Sequence, residues 1–286
     1  MNNIVIGVSG KIGKYYIKFS KNKNNIYLSR KFNKKKINKF NIFKDNIDNF
    51  YFKKNISSAI LFTAISNPLI CVKNKKLSFD VNIKLTKKII DSFCTNNIYF
   101  VFFSSEYVYG GKKGVRYNER SITNSKMLYA KQKIDIEKYI KKKTNNCAIL
   151  RLAKTYGHEI NDNTLFSSIL NQYTKFKIKK FEIANDQYFK PLYVNDLIKI
   201  IDIFTKKKIK GTYNICGDQY FSRFDLISKM FNELSIKDVE LSSCSIKKFD
   251  KGIYFPQYLN LSNNKIKKKI GFKFTKFEKI LKKINV

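Results

Sequence analysis

The spacing of three glycines near the start of the chain constrains the fold more than any other feature. Gly7, Gly10 and Gly13 follow directly after the first apolar run, and a stretch of helical character comes next. Glycines in this position allow a tight turn and let backbone amides at a helix N-terminus approach a pyrophosphate. The pattern predicts a dinucleotide-binding turn with the spacing Gly-x-x-Gly-x-x-Gly at 7–13.

Short apolar runs alternate with helical stretches along the first half of the chain. Strands are predicted at 4–6, 26–29, 58–63, 98–104 and 147–151, and helices at 11–20, 79–93 and 129–143. Strands this apolar need cover on both faces, so the fold class predicted is α/β, a Rossmann-type doubly wound parallel sheet. Beyond residue 156 the pattern loosens. We expect a dinucleotide-binding core at 1–155, and at 156–286 a mixed segment that completes the core and forms a small C-terminal α/β substrate lobe.

The end of the second predicted strand bears on the choice of cofactor. Enzymes that bind NAD often place a carboxylate there for the ribose 2′-hydroxyl, whereas this chain has Ser29, Arg30 and Lys31. Two cations without a carboxylate favour a 2′-phosphate. Arginine is scarce in the chain, which makes Arg30 the more informative of the two. We therefore expect NADPH as the cofactor, with NADH as the alternative.

Tyr129 and Lys133 supply the chemistry predicted for this chain. Four residues apart on a predicted helix, they share one face. A neighbouring cation favours the phenolate, so Lys133 is expected to lower the pKa of Tyr129 toward the working range of a proton donor. Such a tyrosine can protonate a carbonyl oxygen while a hydride arrives on carbon. Glu137, one turn further along, is expected to be a surface salt-bridge partner.

A series of segments along nearly the whole chain carries a resemblance to a known family. Besides the glycine turn they are Ser-Ser-Glu-Tyr-Val-Tyr-Gly-Gly at 104–111, Leu-Tyr-Ala-Lys-Gln-Lys-Ile-Asp-Ile-Glu at 128–137, and the stretches 149–157, 185–191 and 211–217. Together they resemble the extended short-chain dehydrogenase/reductase superfamily. Within it, the chain is most similar to the dTDP-4-dehydrorhamnose reductase family of sugar-nucleotide reductases.

The resemblance implies a role for each matching residue. Tyr129 would give its proton to the substrate carbonyl, Lys133 would bind the nicotinamide ribose, and Ser105 would hydrogen-bond the same carbonyl oxygen. The residues implied to bind the pyrophosphate are Gly7, Gly10, Lys11, Ile12 and Gly13. Thr63 and Ala64 would lie along the cofactor, and Tyr107 would face the sugar. The expected reaction is reduction of a nucleotide-linked 4-keto sugar with a hydride from NADPH, without a metal.

Two alternatives keep the same fold. One is an NAD-dependent sugar-nucleotide epimerase or dehydratase, which the absence of a carboxylate after the second strand disfavours. The other is a non-catalytic, cofactor-binding regulatory subunit, which would not need the intact set of Ser105, Tyr129 and Lys133.

The chain lacks the family's usual aromatic at 152–155 and its Arg-Pro pair at 255–256. Substrate identity is therefore less constrained than reaction type.

The formal charge of +37 raises a further alternative, a nucleic-acid-binding protein. Only five of the 58 basic residues are arginines, although arginine is the preferred reader of phosphate and guanine. The lysine runs 141–143 and 206–208 fall at predicted helix C-termini, where cations complement the helix dipole. We therefore interpret the lysines as a solvated surface and expect no specific nucleic acid partner.

Cysteine usage and hydropathy bear on compartment and partners. Five cysteines are scattered without a Cys-x-x-Cys pair, which is typical of a reducing compartment. The apolar runs are too short to cross a bilayer, and the first residues lack the charged region of a secretory signal. We expect a cytoplasmic protein without a membrane partner, whose partners are a sugar-nucleotide substrate and a second copy in a homodimer. His158, the only histidine, is interpreted as an ordinary loop residue.

Overall fold

Strands and helices alternate along the chain in a computed structural model that describes residues 2–30, 37–51, 55–159, 164–249 and 252–284. Lys31, one of the two cations predicted to favour a 2′-phosphate, lies outside these residues. The strands are β1 (Asn2–Ile6), β2 (Asn25–Ser29), β3 (Ile37–Lys39), β4 (Ile56–Leu61), β5 (Tyr99–Ser105), β6 (Arg116–Tyr117), β7 (Cys147–Leu152), β8 (Thr155–Tyr156), β9 (Lys180–Ala184), β10 (Tyr188–Phe189), β11 (Leu192–Tyr193), β12 (Gly211–Ile215), β13 (Phe221–Ser222), β14 (Glu240–Cys244) and β15 (Tyr258–Leu261).

The α-helices have apolar residues at helical spacing, as the periodicity predicts for the longer ones. They are α1 (Lys11–Phe19), α2 (Asp48–Tyr51), α3 (Pro68–Lys73), α4 (Lys75–Phe79), α5 (Thr86–Thr95), α6 (Leu128–Lys143), α7 (Leu165–Phe176), α8 (Val194–Lys207), α9 (Arg223–Glu233), α10 (Asn264–Ile270) and α11 (Phe277–Leu281). The single helix predicted at 79–93 is interrupted, because a π-helical turn, Asp80–Leu85, separates α4 from α5.

A seven-stranded sheet has the order β12-β7-β5-β4-β1-β2-β3. Neighbouring strands from β3 to β5 pair in parallel. All seven residues of β5 are buried, as expected for a strand covered by helices on both faces. The strand order reverses between β1 and β4, where doubly wound sheets open a crevice beyond the strand ends. The predicted Rossmann-type α/β fold is confirmed.

The chain folds into two compact units. The first consists of Met1–Val108, Leu128–Arg151 and Ile198–Tyr213, and the second of Tyr109–Met127, Leu152–Leu197 and Asn214–Val286. The second unit contains a four-stranded sheet of order β13-β10-β15-β6, together with the strand pairs β11-β8 and β14-β9. The proposed boundary at residues 155–156 and the substrate role of the C-terminal segment stay predictions.

Two further observations concern the described part of the chain. None of its helices combines the length and apolar character that a membrane span requires. The cysteines are free thiols, and Cys71, Cys147 and Cys216 among them are buried.

Each glycine of the turn after β1 meets a different requirement. Gly7 has a φ of +85°, and a Cβ there would lie 2.6 Å from Thr63 Oγ1. A Cβ on Gly13 would lie 2.5 Å from the α-carbon of Val8, which is closer than atoms can approach. Gly10 has a φ of −72°, and its Cβ would meet nothing nearer than 3.6 Å. The folded chain therefore needs glycine at positions 7 and 13, whereas at position 10 it does not.

Gly13→Ala is expected to lower the free energy of unfolding by about 2 kcal/mol, because the added methyl group overlaps the backbone of Val8. Gly10→Ala is the matched control and should change it by less than about 1 kcal/mol, the range for an N-cap position without a side-chain bond. Urea denaturation of both variants without cofactor measures the difference. Equal stabilities would contradict the close contact between Gly13 and Val8.

Candidate active site

Tyr129, Lys133 and Glu137 lie on one buried face of α6, at successive four-residue intervals. Tyr129 is 7% exposed and Lys133 5%. Lys133 Nζ lies 5.7 Å from the centroid of the Tyr129 ring and 4.7 Å from that of Phe102 on β5. The structure therefore brings the tyrosine and the lysine together against the strand that ends at Ser105.

Burial changes the pKa of both groups. It raises the pKa of the Tyr129 phenol, and the nearby Cys71 and Tyr107 raise it further. Burial also lowers the pKa of Lys133 to about 8, although Cys71 and Glu137 act in the opposite direction. The expectation that Lys133 lowers the pKa of the phenol is therefore wrong for this structure. The loss of water around a phenolate at this position outweighs the attraction of the ammonium group.

Glu137 forms a buried ion pair with Arg151 in β7. Arg151 donates from Nη2 to Glu137 Oε2 at 2.6 Å and from Nε to Oε1 at 2.9 Å. The side chains are only 2% and 3% exposed. The expectation that Glu137 lies on the surface is therefore wrong, although it does form a salt bridge. Its position on the same helix face as Tyr129 and Lys133 directs it toward the sheet. Lys141, an exposed second cation, lies 3.8 Å from Oε2.

Ser105 is the last residue of β5, and a 3₁₀ turn, Glu106–Val108, follows it. Its Oγ accepts a hydrogen bond from the backbone N–H of Tyr107 at 3.2 Å, which holds the hydroxyl at the end of the strand. The Tyr107 side chain is half-buried and close enough to Tyr129 to affect its pKa. Tyr109 is fully buried, and its hydroxyl donates to Asn214 Oδ1 at 2.7 Å. Tyr109 is therefore a core aromatic, whereas Tyr107 belongs to the surroundings of Tyr129.

The glycine turn has the features of an anion site. Helix α1 has nine residues and begins at Lys11, and among the described residues no side chain caps it at Gly10. The N–H groups of Lys11, Ile12 and Gly13 lie in its first turn, where the helix itself provides no acceptors. Because Gly10 has no side chain, a ligand can approach this backbone closely. These residues fit the pyrophosphate of a dinucleotide.

The other residues predicted to contact the cofactor follow strands adjacent to β1. Thr63 and Ala64 come two and three residues after the end of β4 and are half-buried, and Thr63 lies against the turn at Gly7. Arg30 follows β2 and is exposed. Since β2 and β4 both pair with β1, all three residues belong to the carboxyl edge where the strand order reverses.

A buried amide network beside α6 was not predicted. Asn82 lies in the π-helical turn, and its Oδ1 accepts from Ile65 N–H at 2.8 Å while its Nδ2 donates to Ile65 O at 3.0 Å. Nδ2 also donates to Gln132 Oε1 at 2.7 Å. The network thus ties the segment after Ala64 to α6, next to Lys133. The sequence shows only an asparagine between Val81 and Ile83, in a stretch of helical periodicity. The π-turn that holds it is a feature often found at functional sites.

His158 and metal binding are the remaining points from the sequence. His158 Nδ1 lies 3.0 Å from the hydroxyl of Tyr193 in the second unit. In the described ranges, no three His, Cys, Asp or Glu residues form a group that could hold a metal ion.

Comparison with known proteins identifies the family. A family model described as the RmlD substrate binding domain matches residues 1–285. The chain belongs to this family. Among curated relatives, it is 25% identical over 148 residues to methionine adenosyltransferase 2 subunit beta of Xenopus laevis, covering 50% of this chain and 44% of that protein. It is 23% identical over 189 residues to a dTDP-4-dehydrorhamnose reductase of Aggregatibacter actinomycetemcomitans, covering 64% and 62%. The chain thus matches less than two thirds of the length of either relative.

Solved structures similar to this RmlD-family chain share its fold over the full length. A dTDP-4-dehydrorhamnose reductase of Clostridium acetobutylicum superposes with a TM-score of 0.84 at 20% identity, covering 99% of this chain and 97% of that one. A dTDP-4-dehydrorhamnose reductase of Bacillus anthracis, crystallised in complex with NADP, has a TM-score of 0.83 at 19% identity and covers 99% of each. At these identities the likeness establishes the fold.

Arg151→Met is expected to lower the free energy of unfolding by about 3–5 kcal/mol, because it leaves the Glu137 carboxylate buried without its counterion. Lys141→Met removes the exposed partner of the same carboxylate and should cost less than about 1 kcal/mol. Chemical denaturation of both variants makes the comparison. If Arg151→Met and Lys141→Met lowered the free energy of unfolding by similar amounts, the buried ion pair would contribute no more to stability than the exposed one.

The lowered pKa of Lys133 predicts a pH dependence of stability. Between about pH 8 and about pH 10 the unfolded chain keeps the proton on this lysine while the folded chain has lost it. The unfolded state then binds more protons, so the free energy of unfolding rises with pH. Relative to Lys133→Met, the parent protein should gain about 1 kcal/mol per pH unit in this window. Lys131→Met removes an exposed lysine of α6 and should keep the parent dependence of unfolding free energy on pH. If the parent and Lys133→Met had the same dependence on pH, the prediction would be wrong.

Proposed function

We propose that this RmlD-family chain is an NADPH-dependent reductase of a nucleotide-linked 4-keto sugar. The observation that carries the proposal is the buried contact between Tyr129 and Lys133, in the same unit as a glycine turn that fits a pyrophosphate. Family membership supports the substrate class, since several proteins with this fold are dTDP-4-dehydrorhamnose reductases. The NADP complex of the Bacillus anthracis protein supports the cofactor.

The proposed reaction uses Tyr129 as the general acid. Burial raises the pKa of its phenol, so the group is protonated at neutral pH and can give its proton to a carbonyl oxygen. Lys133, with a pKa of about 8, is mostly charged at neutral pH and stabilises the phenolate that remains. The Ser105 hydroxyl donates a hydrogen bond to the same substrate oxygen as charge develops there. Bound NADPH supplies the hydride.

The same residues also orient cofactor and substrate in this proposal. The turn around Gly10 binds the pyrophosphate through backbone N–H groups, and Arg30 holds the 2′-phosphate. Lys133 has a second task, donating to the hydroxyls of the nicotinamide ribose. Contacts along the cofactor come from Thr63 and Ala64, and Tyr107 faces the sugar.

A second candidate is a non-catalytic, cofactor-binding regulatory subunit. The observation that favours it is the match to a protein named methionine adenosyltransferase 2 subunit beta. That name describes a subunit of a different enzyme. This candidate predicts that the chain binds NADPH but does not oxidise it, whichever sugar nucleotide is added. A regulatory subunit would not need the buried Tyr129–Lys133 pair. For that reason we favour the reductase.

Tyr129→Phe is expected to reduce turnover at least about a hundredfold, because the proton donor is removed while the ring that packs beside Lys133 remains. The measurement is NADPH oxidation with dTDP-4-dehydrorhamnose and with other 4-keto sugar nucleotides. Tyr139→Phe is the matched control, since it removes a hydroxyl from the same helix that bonds Asp91. This control should keep the parent rate.

Three results would redirect the assignment. Equal rates for the parent and Tyr129→Phe would rule out the proposed general acid. NADPH binding without oxidation by any of these substrates would favour the regulatory subunit. Conversion of a sugar nucleotide without release of oxidised cofactor would instead indicate an epimerase or dehydratase, which retains its cofactor through each cycle.

A further inference from the structure

Gln132 lies next to Lys133 in α6, and its side-chain amide is buried. Its Oε1 accepts from Asn82 Nδ2 at 2.7 Å, and its Nε2 donates to Ser78 Oγ at 3.0 Å. Asn82 belongs to the π-helical turn and Ser78 to α4, so both ends of the amide bond residues outside α6. Gln132 and Asn82 are each 4% exposed, and Ser78 is fully buried. Water therefore has little access to these bonds.

The two bonds of Gln132 are part of a closed ring of hydrogen bonds. The Ser78 hydroxyl lies within hydrogen-bond distance of Cys71 O, at 3.2 Å, and the Cys71 thiol donates to Ile65 O at 3.2 Å. Asn82 completes the ring, because its Oδ1 accepts from the N–H of Ile65 and its Nδ2 donates to the carbonyl of the same residue. The ring therefore connects α3, α4, the π-helical turn and the segment after β4 to Gln132 of α6.

A buried amide constrains direction as well as distance. An apolar side chain at position 132 could also fill the space between these helices, but it would allow them to slide or rotate at little cost. A buried amide needs a partner at each end, and a network in which every member is bonded rigidifies the elements that it joins. Gln132 thus constrains where α6 lies relative to the segment after β4 more narrowly than packing alone does.

The placement of α6 relative to this segment bears on catalysis. Ile65 directly follows residues 63–64, which are predicted to lie along the cofactor, and Gln132 lies in the same helix as Tyr129 and Lys133. Hydride and proton transfer require the nicotinamide and the phenol to reach one substrate carbonyl together. A misplacement of about 1 Å can lower the rate about a hundredfold, even when it arises away from the reacting atoms.

We propose that Gln132 is a positioning residue for the reductase reaction. Through Asn82 it holds the segment after β4 at a fixed place relative to Tyr129 and Lys133, so that the cofactor and the proton donor face the same substrate carbonyl. Gln132 itself contacts neither cofactor nor substrate in this arrangement. Its role in catalysis rests on the proposed function, whereas its hold on the segment after β4 does not.

Gln132→Met tests the catalytic part, because it keeps the buried stem and removes both hydrogen bonds. With dTDP-4-dehydrorhamnose as substrate, kcat should fall at least about tenfold. The Kd of NADPH should stay within about threefold, because the turn at Gly10 that fits the pyrophosphate is outside the ring. Gln172→Met is the matched control on α7, where the amide donates only to the carbonyl of Ser168 one turn away. It should keep the parent kcat. A Gln132→Met protein that is less stable but keeps the parent kcat would overturn the proposal in favour of a purely structural role.

Hydrogen exchange at Ile65 tests the hold on the segment without cofactor or turnover. The N–H of Ile65 donates to Asn82 Oδ1 at 2.8 Å. In Gln132→Met it should exchange at least about tenfold faster, while the amides of β5 keep their parent rates. Parent-like exchange at Ile65 would overturn the proposal even if kcat fell. If the parent itself oxidised NADPH with no sugar nucleotide, the reductase assignment would fail, and the exchange of Ile65 would still decide whether Gln132 holds this segment.

Ser78→Ala keeps the test decisive if Gln132→Met does not fold. It removes the acceptor of Gln132 Nε2 and leaves the bond to Asn82. Both kcat and the protection of Ile65 should fall by at least about threefold, and parent values for both would overturn the proposal. Where both variants fold, the double variant should be within about twofold of Gln132→Met, because the two changes break one ring. Additive losses would overturn the ring as the positioning device.

Discussion

The burial of one face of α6 is the constraint on which the first unit depends. Ionisable side chains at Tyr129, Lys133 and Glu137 are all removed from water there, and each needs a different compensation. The phenol stays neutral, the ammonium lies over the Phe102 ring with a lowered pKa, and the carboxylate pairs with Arg151. Since Phe102 lies in β5 and Arg151 in β7, these contacts hold α6 against two different strands of the sheet.

The same helix is connected to the predicted cofactor turn through backbone and amide contacts. Gly7 allows the turn after β1 to approach Thr63 in the segment after β4, and Asn82 holds Ile65 of the same segment while bonding Gln132 of α6. The segments predicted to bind the cofactor and the tyrosine proposed as proton donor are therefore connected through these contacts. The turn after β1 and the segment after β4 flank the place where the strand order reverses, which is where open α/β sheets bind ligands.

The number of lysines does not indicate the function of this chain, whereas the environment of a buried lysine does. In the part of the chain that the structure describes, most basic residues are exposed to solvent, whereas Lys133, which the proposed mechanism uses, is buried. Family membership is similarly broad, because relatives include both a reductase and a subunit of another enzyme by their names. The environments of individual side chains, more than the fold, discriminate among these functions.

The sequence by itself determined the alternation of strands and helices, the turn after β1, and the shared face of Tyr129 and Lys133, because each follows from a local period or spacing. Only the tertiary structure decided that Glu137 is buried with Arg151, that Asn82 holds the segment after β4, and that burial raises the pKa of the phenol. These depend on contacts between distant segments and on the loss of water around a group. A local pattern specifies which residues face inward, but it does not specify what they meet there.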